Sequence, residues 1–137
     1  MDGQAYLSIE PGPATAATAR PVRVEAAGYG FAGGHPELLL SGAELDAFLR
    51  GLQTLEASRR GSAQLTSRSH GEFALELRAI ETTGRILATI RIERLADVSG
   101  QPHRHSAAFD FEVGASDLPS WVAAFKALRA ELGASRG

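Results

Sequence analysis

Four runs between residues 63 and 113 alternate apolar and polar side chains, and this period of two constrains the chain more than any other feature. Ala63 and Leu65, then Phe73, Leu75, Leu77 and Ala79, then Ile86, Ala88, Ile90 and Ile92, then Ala107, Phe109, Phe111 and Val113 share one parity. The other parity carries Gln64, Thr66 and Arg68, Glu72, Glu76 and Arg78, Thr89, Arg91 and Glu93, and Ser106, Asp110 and Glu112. Successive side chains of a strand point to opposite faces, so this pattern demands antiparallel sheet with one dry face and one wet face.

Parity also restricts the turns. A two-residue loop at Thr83-Gly84 sets Leu75, Leu77 and Ala79 opposite Ile92, Ile90 and Ala88, and it brings Glu76 opposite Arg91. A four-residue loop keeps the faces and loses that pair. Between the runs at 63–68 and 72–80 only an odd loop, Ser69-His70-Gly71, keeps Leu65 off the charged face. Asp97, Ser99, Gly100 and Pro102 read as a polar connection between the last two runs.

Two helices flank this region. Ser41 and Glu44 form an S-x-x-E capping box, and Leu45, Phe48, Leu49, Leu52 and Leu55 recur at spacings of three and four behind it. Gly51 lies inside that helix, where glycine costs about 1 kcal/mol relative to alanine, and Ser58 to Gly61 closes it. The second helix is expected to be capped by Ser116, with Asp117 and Pro119 in its first turn, an apolar stripe of Leu118, Trp121, Val122, Phe125, Leu128 and Leu132, and Gly133 as its stop.

Upstream, Ala5 to Glu10 and Pro21 to Ala27 read as strands separated by a loop at Pro11 to Arg20, and Gly28 to Gly34 reads as a glycine-rich turn with Tyr29 and Phe31 packed at the edge of the core. Glu37 to Leu40 follows as a short strand. Two amphipathic helices and one sheet with a single apolar face have one economical arrangement. The expectation is an α+β two-layer sandwich, a curved antiparallel sheet with both helices on one face, formed as a single domain over residues 1–137.

Composition limits function. Net charge is −2 with a pI near 6.1, and no block of like charges supplies an electrostatic grip on nucleic acid or anionic lipid. There are no cysteines, which excludes disulfides, thiolate chemistry and cysteine-based zinc sites. Met1 to Gln4 provide no cationic start and no apolar run follows, so a cytoplasmic location is expected. His103 and His105 flank Arg104 on an extended segment, but no third ligand is dictated, and no metal is assigned. Gly28 to Gly34 matches neither G-x-x-x-x-G-K nor a strand-to-helix G-x-G-x-x-G, and no serine sits in G-x-S-x-G. No catalytic, cofactor-binding or metal-binding residue is assigned, and the chain is read as a non-enzyme without a cofactor. Trp121 and Phe125 are read as core, and Arg59-Arg60 as a helix C-terminal pair that offsets the dipole.

From Val22 onward the order of features resembles the WapI-type immunity proteins, small bacterial proteins of polymorphic and contact-dependent toxin systems. The resemblance rests on Gly-Tyr-Gly-Phe-Ala-Gly-Gly at 28–34, the helix with Glu44-Leu45-Asp46-Ala47-Phe48-Leu49 and Leu52, and Gly61-Ser62-Ala63-Gln64-Leu65. It continues through Phe73 to Leu77, Phe109-Asp110-Phe111 and the closing Asp117-Leu118 helix. It implies a protein that binds and neutralises a cognate toxin domain, without transferring any catalytic residue. The expected contact surface is the wet sheet face bearing Glu76, Arg78, Arg91, Glu93, Asp110 and Glu112. The competing reading is a small-molecule-binding or interaction domain that uses the crevice between helices and sheet. Oligomeric state is left open.

Overall fold

The computed structural model describes residues 6–11, 22–28, 30–67, 72–80 and 85–134. Strands β1 (Tyr6–Pro11), β2 (Val22–Gly28) and β3 (Phe31–Leu38) form one antiparallel sheet in the order β1-β2-β3. Helix α1 (Gly42–Ser58) leads into β4 (Ser62–Thr66), β5 (Phe73–Ile80), β6 (Arg85–Val98) and β7 (Gln101–Val113), a second antiparallel sheet in sequential order. A 3₁₀ turn (Ala115–Asp117) and helix α2 (Leu118–Ala134) complete the described chain. The α+β sandwich expected from the sequence is present, and its strands divide between two open sheets.

The apolar parity of β4–β7 is buried as read. Leu65, Leu75, Ile90 and Phe109 form one cross-strand row, and Ala63, Leu77, Ala88 and Phe111 form the next. All eight belong to the core. The β4–β5 register is the one an odd loop requires, with Leu65 opposite Leu75 and Ala63 opposite Leu77. The loop residues themselves, Ser69, His70 and Gly71, lie outside the described residues.

The β5–β6 register corrects the two-residue loop. Ile80 pairs with Arg85, so the connection holds four residues, 81–84, and Leu75 faces Ile90 while Glu76 faces Thr89. A shift of two residues preserves parity, so burial of the apolar face does not select between the two registers. The expected Glu76–Arg91 pair is absent for this reason. Glu76 instead accepts a hydrogen bond from Gln64 Nε2 at 3.2 Å on the opposite flank.

Both helices cover the apolar face. Ser41 caps α1, its hydroxyl accepting the Glu44 N–H at 3.0 Å, and Arg59 ends it in the left-handed conformation at φ 58°. Leu45, Phe48, Leu52 and Leu55 are fully buried. Phe48 meets Phe125 of α2 edge to face at 4.8 Å, and Arg129 of α2 holds Asp46 of α1 at 2.9 Å. Helix α2 differs at its ends from the sequence reading. Its first turn is preceded by the 3₁₀ turn, in which the Asp117 N–H bonds Gly114 O at 2.9 Å, and it runs through Gly133 to Ala134. A Gly with no requirement for positive φ does not by itself end a helix.

The glycine-rich segment is also corrected. Gly28 already pairs with Phe31, where strand β3 begins, and Gly30 stands at φ +84°. Gly33 lies on the apolar face of its sheet, where an added Cβ would stand 2.8 Å from Ala107 Cβ of β7. Phe31 is 72% exposed rather than packed at the core edge; Tyr29 lies outside the described residues. Helix α1 makes an equivalent approach. A Cβ on Gly51 would stand 2.8 Å from Ala63 Cβ and 3.2 Å from the Ser62 carbonyl oxygen.

Gly51→Ala is therefore expected to destabilise the fold. The gain of about 1 kcal/mol in helix propensity is outweighed by overpacking, which costs about 1–3 kcal/mol in a close-packed interior. Chemical denaturation should show a lower midpoint than wild type, and a raised midpoint would contradict the packing described.

Candidate interaction surface

The wet parity of β4–β7 emerges as one open face. Arg78, Arg91, Asp110 and Glu112 are exposed and Glu76 and Glu93 are half-buried. Gln64 and Thr89 lie beside Glu76, Ala74 and Ala108 beside Arg91, Thr89 beside Asp110 and Ser106 beside Glu93, while half-buried Leu87 stands between Arg78 and Glu112 as an apolar residue on this face. The fold thus brings all six candidate residues to the same side of one sheet. They do not form one ion-pair ladder. Glu112 pairs with Arg85 at 3.5 Å, and Glu93 pairs with Arg104 at 3.3 Å. Half-exposed pairs of this kind contribute under about 1 kcal/mol, so the face retains charge to offer a partner.

Beyond this face the last two strands continue as a ribbon. Strand β5 reaches β6 only as far as the Glu93 N–H, which donates to Glu72 O at 2.8 Å. From Arg94↔His105 to Val98↔Gln101 no third strand among the described residues pairs with β6 or β7. Ser99 and Gly100 close the ribbon with φ 54° and +79°, the paired positive values of a type I′ turn. The turn-rich connection expected at Asp97 to Pro102 is therefore a two-residue turn, and Asp97 and Pro102 face each other in the ladder. Every residue from Arg94 to Ser106 is exposed except half-buried Ala96, including Leu95 at 63% and Val98 at 46%. Sequence reasoning missed this feature because both faces of a ribbon are wet, so there is no alternation to read.

The three described histidines do not converge. His103 and His105 lie on one side of the ribbon opposite Ala96 and Arg94, and His35 of β3 stands 3.5 Å from Glu72; His70 lies outside the described residues. Among the described residues no group of three His, Cys, Asp or Glu side chains could hold a metal ion. No described helix is long and apolar enough to cross a membrane.

A crevice does exist between helix and sheet. Leu7 and Ile9 of β1 face Ser120, Trp121, Ala124, Phe125 and Leu128 of α2 across a groove of about 160 Å³. Trp121 is half-buried and stacks on Phe125 with centroids 6.3 Å apart, so both residues serve the core and the groove wall together. Small-molecule sites usually enclose about 300–1,000 Å³ and place several convergent polar groups. Among the described lining residues only the Ser120 hydroxyl and the Trp121 indole N–H are polar side-chain groups. Comparison of the chain with family models, with curated proteins and with solved structures finds no match.

The ribbon should open independently of the core, because an isolated two-stranded hairpin is marginally stable in water. Ser99→Asn suits a positive φ better than serine. It is expected to slow amide hydrogen exchange at Gln101 and neighbouring ribbon amides while the global denaturation midpoint stays at the wild-type value. Equal exchange rates in the two proteins would contradict the turn geometry.

Proposed function

We propose that the chain is a non-enzymatic bacterial immunity-like protein that binds a toxin domain and neutralises it. The observation that carries this reading is the open face of β4–β7. Its charges are of mixed sign, they sit on a rigid sheet, and no described element covers them. Such a surface steers encounter and selects a partner by complementary charge more than it supplies raw affinity. The resemblance of the chain from Val22 onward to the WapI-type immunity proteins points the same way. The ribbon that continues this sheet adds two exposed apolar side chains, Leu95 on the charged side and Val98 on the other.

Small-molecule binding in the groove between β1 and α2 is the second reading. Its support is the apolar lining of that groove, and its weakness is the small volume and scarcity of polar groups.

The test is whether the open reading frame immediately upstream encodes a toxin domain, whose absence favours the rival reading, and then affinity capture with that domain, followed by Glu76→Arg and Arg78→Glu. A charge pair buried at an interface typically costs about 2–5 kcal/mol when one partner is removed, roughly thirty-fold to several thousand-fold in affinity. The double variant is expected to bind at least thirty-fold more weakly with its fold intact. Affinity and association rate equal to wild type would remove the sheet face from the interface, and no capture by wild type would remove the immunity reading.

A further inference from the structure

Strand β7 is an edge. It closes the order β4-β5-β6-β7, and no described strand pairs with its outer side over thirteen residues. A long unpaired edge normally carries a bulge, a central proline or a row of like charges to discourage pairing. Here the β6–β7 register is continuous from Val113 to Gln101 without a bulge, and Pro102 lies next to the turn rather than at the centre.

The direction of its backbone groups follows from the turn. Val98 and Gln101 close a two-residue hairpin, so they form a hydrogen-bonded pair, and odd-numbered residues of β7 turn their N–H and C=O toward β6. The Glu93 N–H points away from β7 to Glu72 O, as that alternation requires. Even-numbered residues of β7 therefore present their backbone groups outward. Pro102 is even, so its missing N–H leaves no bond of the ladder unmade. Arg104, Ser106, Ala108, Asp110 and Glu112 each present a donor and an acceptor.

The charge along this edge is polar in the directional sense. His103, Arg104 and His105 occupy one half, and Asp110 and Glu112 the other, with Ser106, Ala107 and Ala108 between them. A strand that is basic at one end and acidic at the other complements a second copy of itself when the two run antiparallel.

We propose that β7 is a homodimer interface in which two copies pair edge to edge, antiparallel, about a twofold axis at Ala108. Arg104 then stands opposite Glu112 of the partner subunit, twice by symmetry, and Ser106 stands opposite Asp110 of the partner subunit. All five outward positions find an outward partner with an N–H. The small side chain of Ala108 meets its symmetry mate at the axis. An axis at Ala107 sets donorless Pro102 against Glu112 of the partner subunit, and an axis at Phe109 carries Arg104 past the end of the strand. In the single chain Arg104 holds Glu93 at 3.3 Å and Glu112 holds Arg85 at 3.5 Å, but Arg104 is 72% exposed and Glu112 53% exposed, so each keeps a free flank for the second contact. This interface does not depend on the toxin-binding reading, and its test contains no toxin.

Sedimentation equilibrium of the full chain at tens of micromolar is expected to give twice the chain mass of 14.4 kDa. Arg104→Glu and Glu112→Arg each set like charges opposite one another twice, and each variant is expected to sediment as a monomer with a wild-type circular dichroism spectrum. An equimolar mixture of the two variants should recover the dimer mass, because the two edges are then complementary. Wild type sedimenting as a monomer would overturn the proposal, whether the edge is idle or awaits a strand from another protein. Dimeric Arg104→Glu, or a mixture that stays monomeric, would overturn the register. Ala108→Cys provides a check that needs no charge change, since the chain has no other cysteine. It should form a disulfide dimer faster than Ala127→Cys on the exposed side of α2, and equal rates would contradict an axis at Ala108.

Discussion

Two contacts in which glycine lies against alanine set how closely the covering layer sits on the four-stranded sheet. Gly51 of α1 rests on Ala63 of β4, and Gly33 of β3 rests on Ala107 of β7, each so near that a methyl group would stand 2.8 Å from the opposing Cβ. The remaining core is built on that spacing. With α1 drawn down on β4 and β3 on β7, Phe48, Leu52 and Leu55 share one core with the Leu65-Leu75-Ile90-Phe109 row and with Val22, Val24 and Ala26. Dispersion contacts are lost steeply with small gaps, so wider spacing would weaken packing across the whole face rather than at two points.

How far the sequence reveals this depends on what each signal reports. Alternation reports burial, and it correctly placed every core residue of β4–β7 because one face is dry and the other wet. Register is a different quantity. It depends on turn length, and a change from two residues to four alters it without moving any side chain to the other face, which is why Glu76 faces Thr89 and not Arg91. Capping signals work where a side chain answers a specific backbone donor, as Ser41 does for Glu44. Glycine is the weakest guide. The same residue marks a turn at Gly30 and Gly100, where φ is positive, and a close approach within regular structure at Gly33 and Gly51. Only the partner's position distinguishes these uses, and that position belongs to the tertiary structure.

The six charged residues singled out on the wet parity do share a face, because parity alone guarantees it. What composition did not reveal is how much of the molecule lies beyond that face. The ribbon at 94–105 has no dry side, so its strands leave no period in the sequence, and Leu95 and Val98 read as isolated apolar residues in a polar connection. The free edge of β7 was equally hidden, since which strand ends a sheet follows from strand order. Face, ribbon and edge are continuous with one another on the four-stranded sheet, whose dry side the helices and the three-stranded sheet cover.

The central claim is that α1 and β3 close on one face of the four-stranded sheet through the two glycine–alanine contacts. Nuclear Overhauser spectroscopy of the isotopically labelled chain measures those contacts directly. The fold described predicts cross-peaks from the Gly33 α-protons to the Ala107 methyl group and from the Gly51 α-protons to the Ala63 methyl group. A spectrum in which the strand resonances of β4–β7 are assigned and both cross-peaks are absent would contradict it.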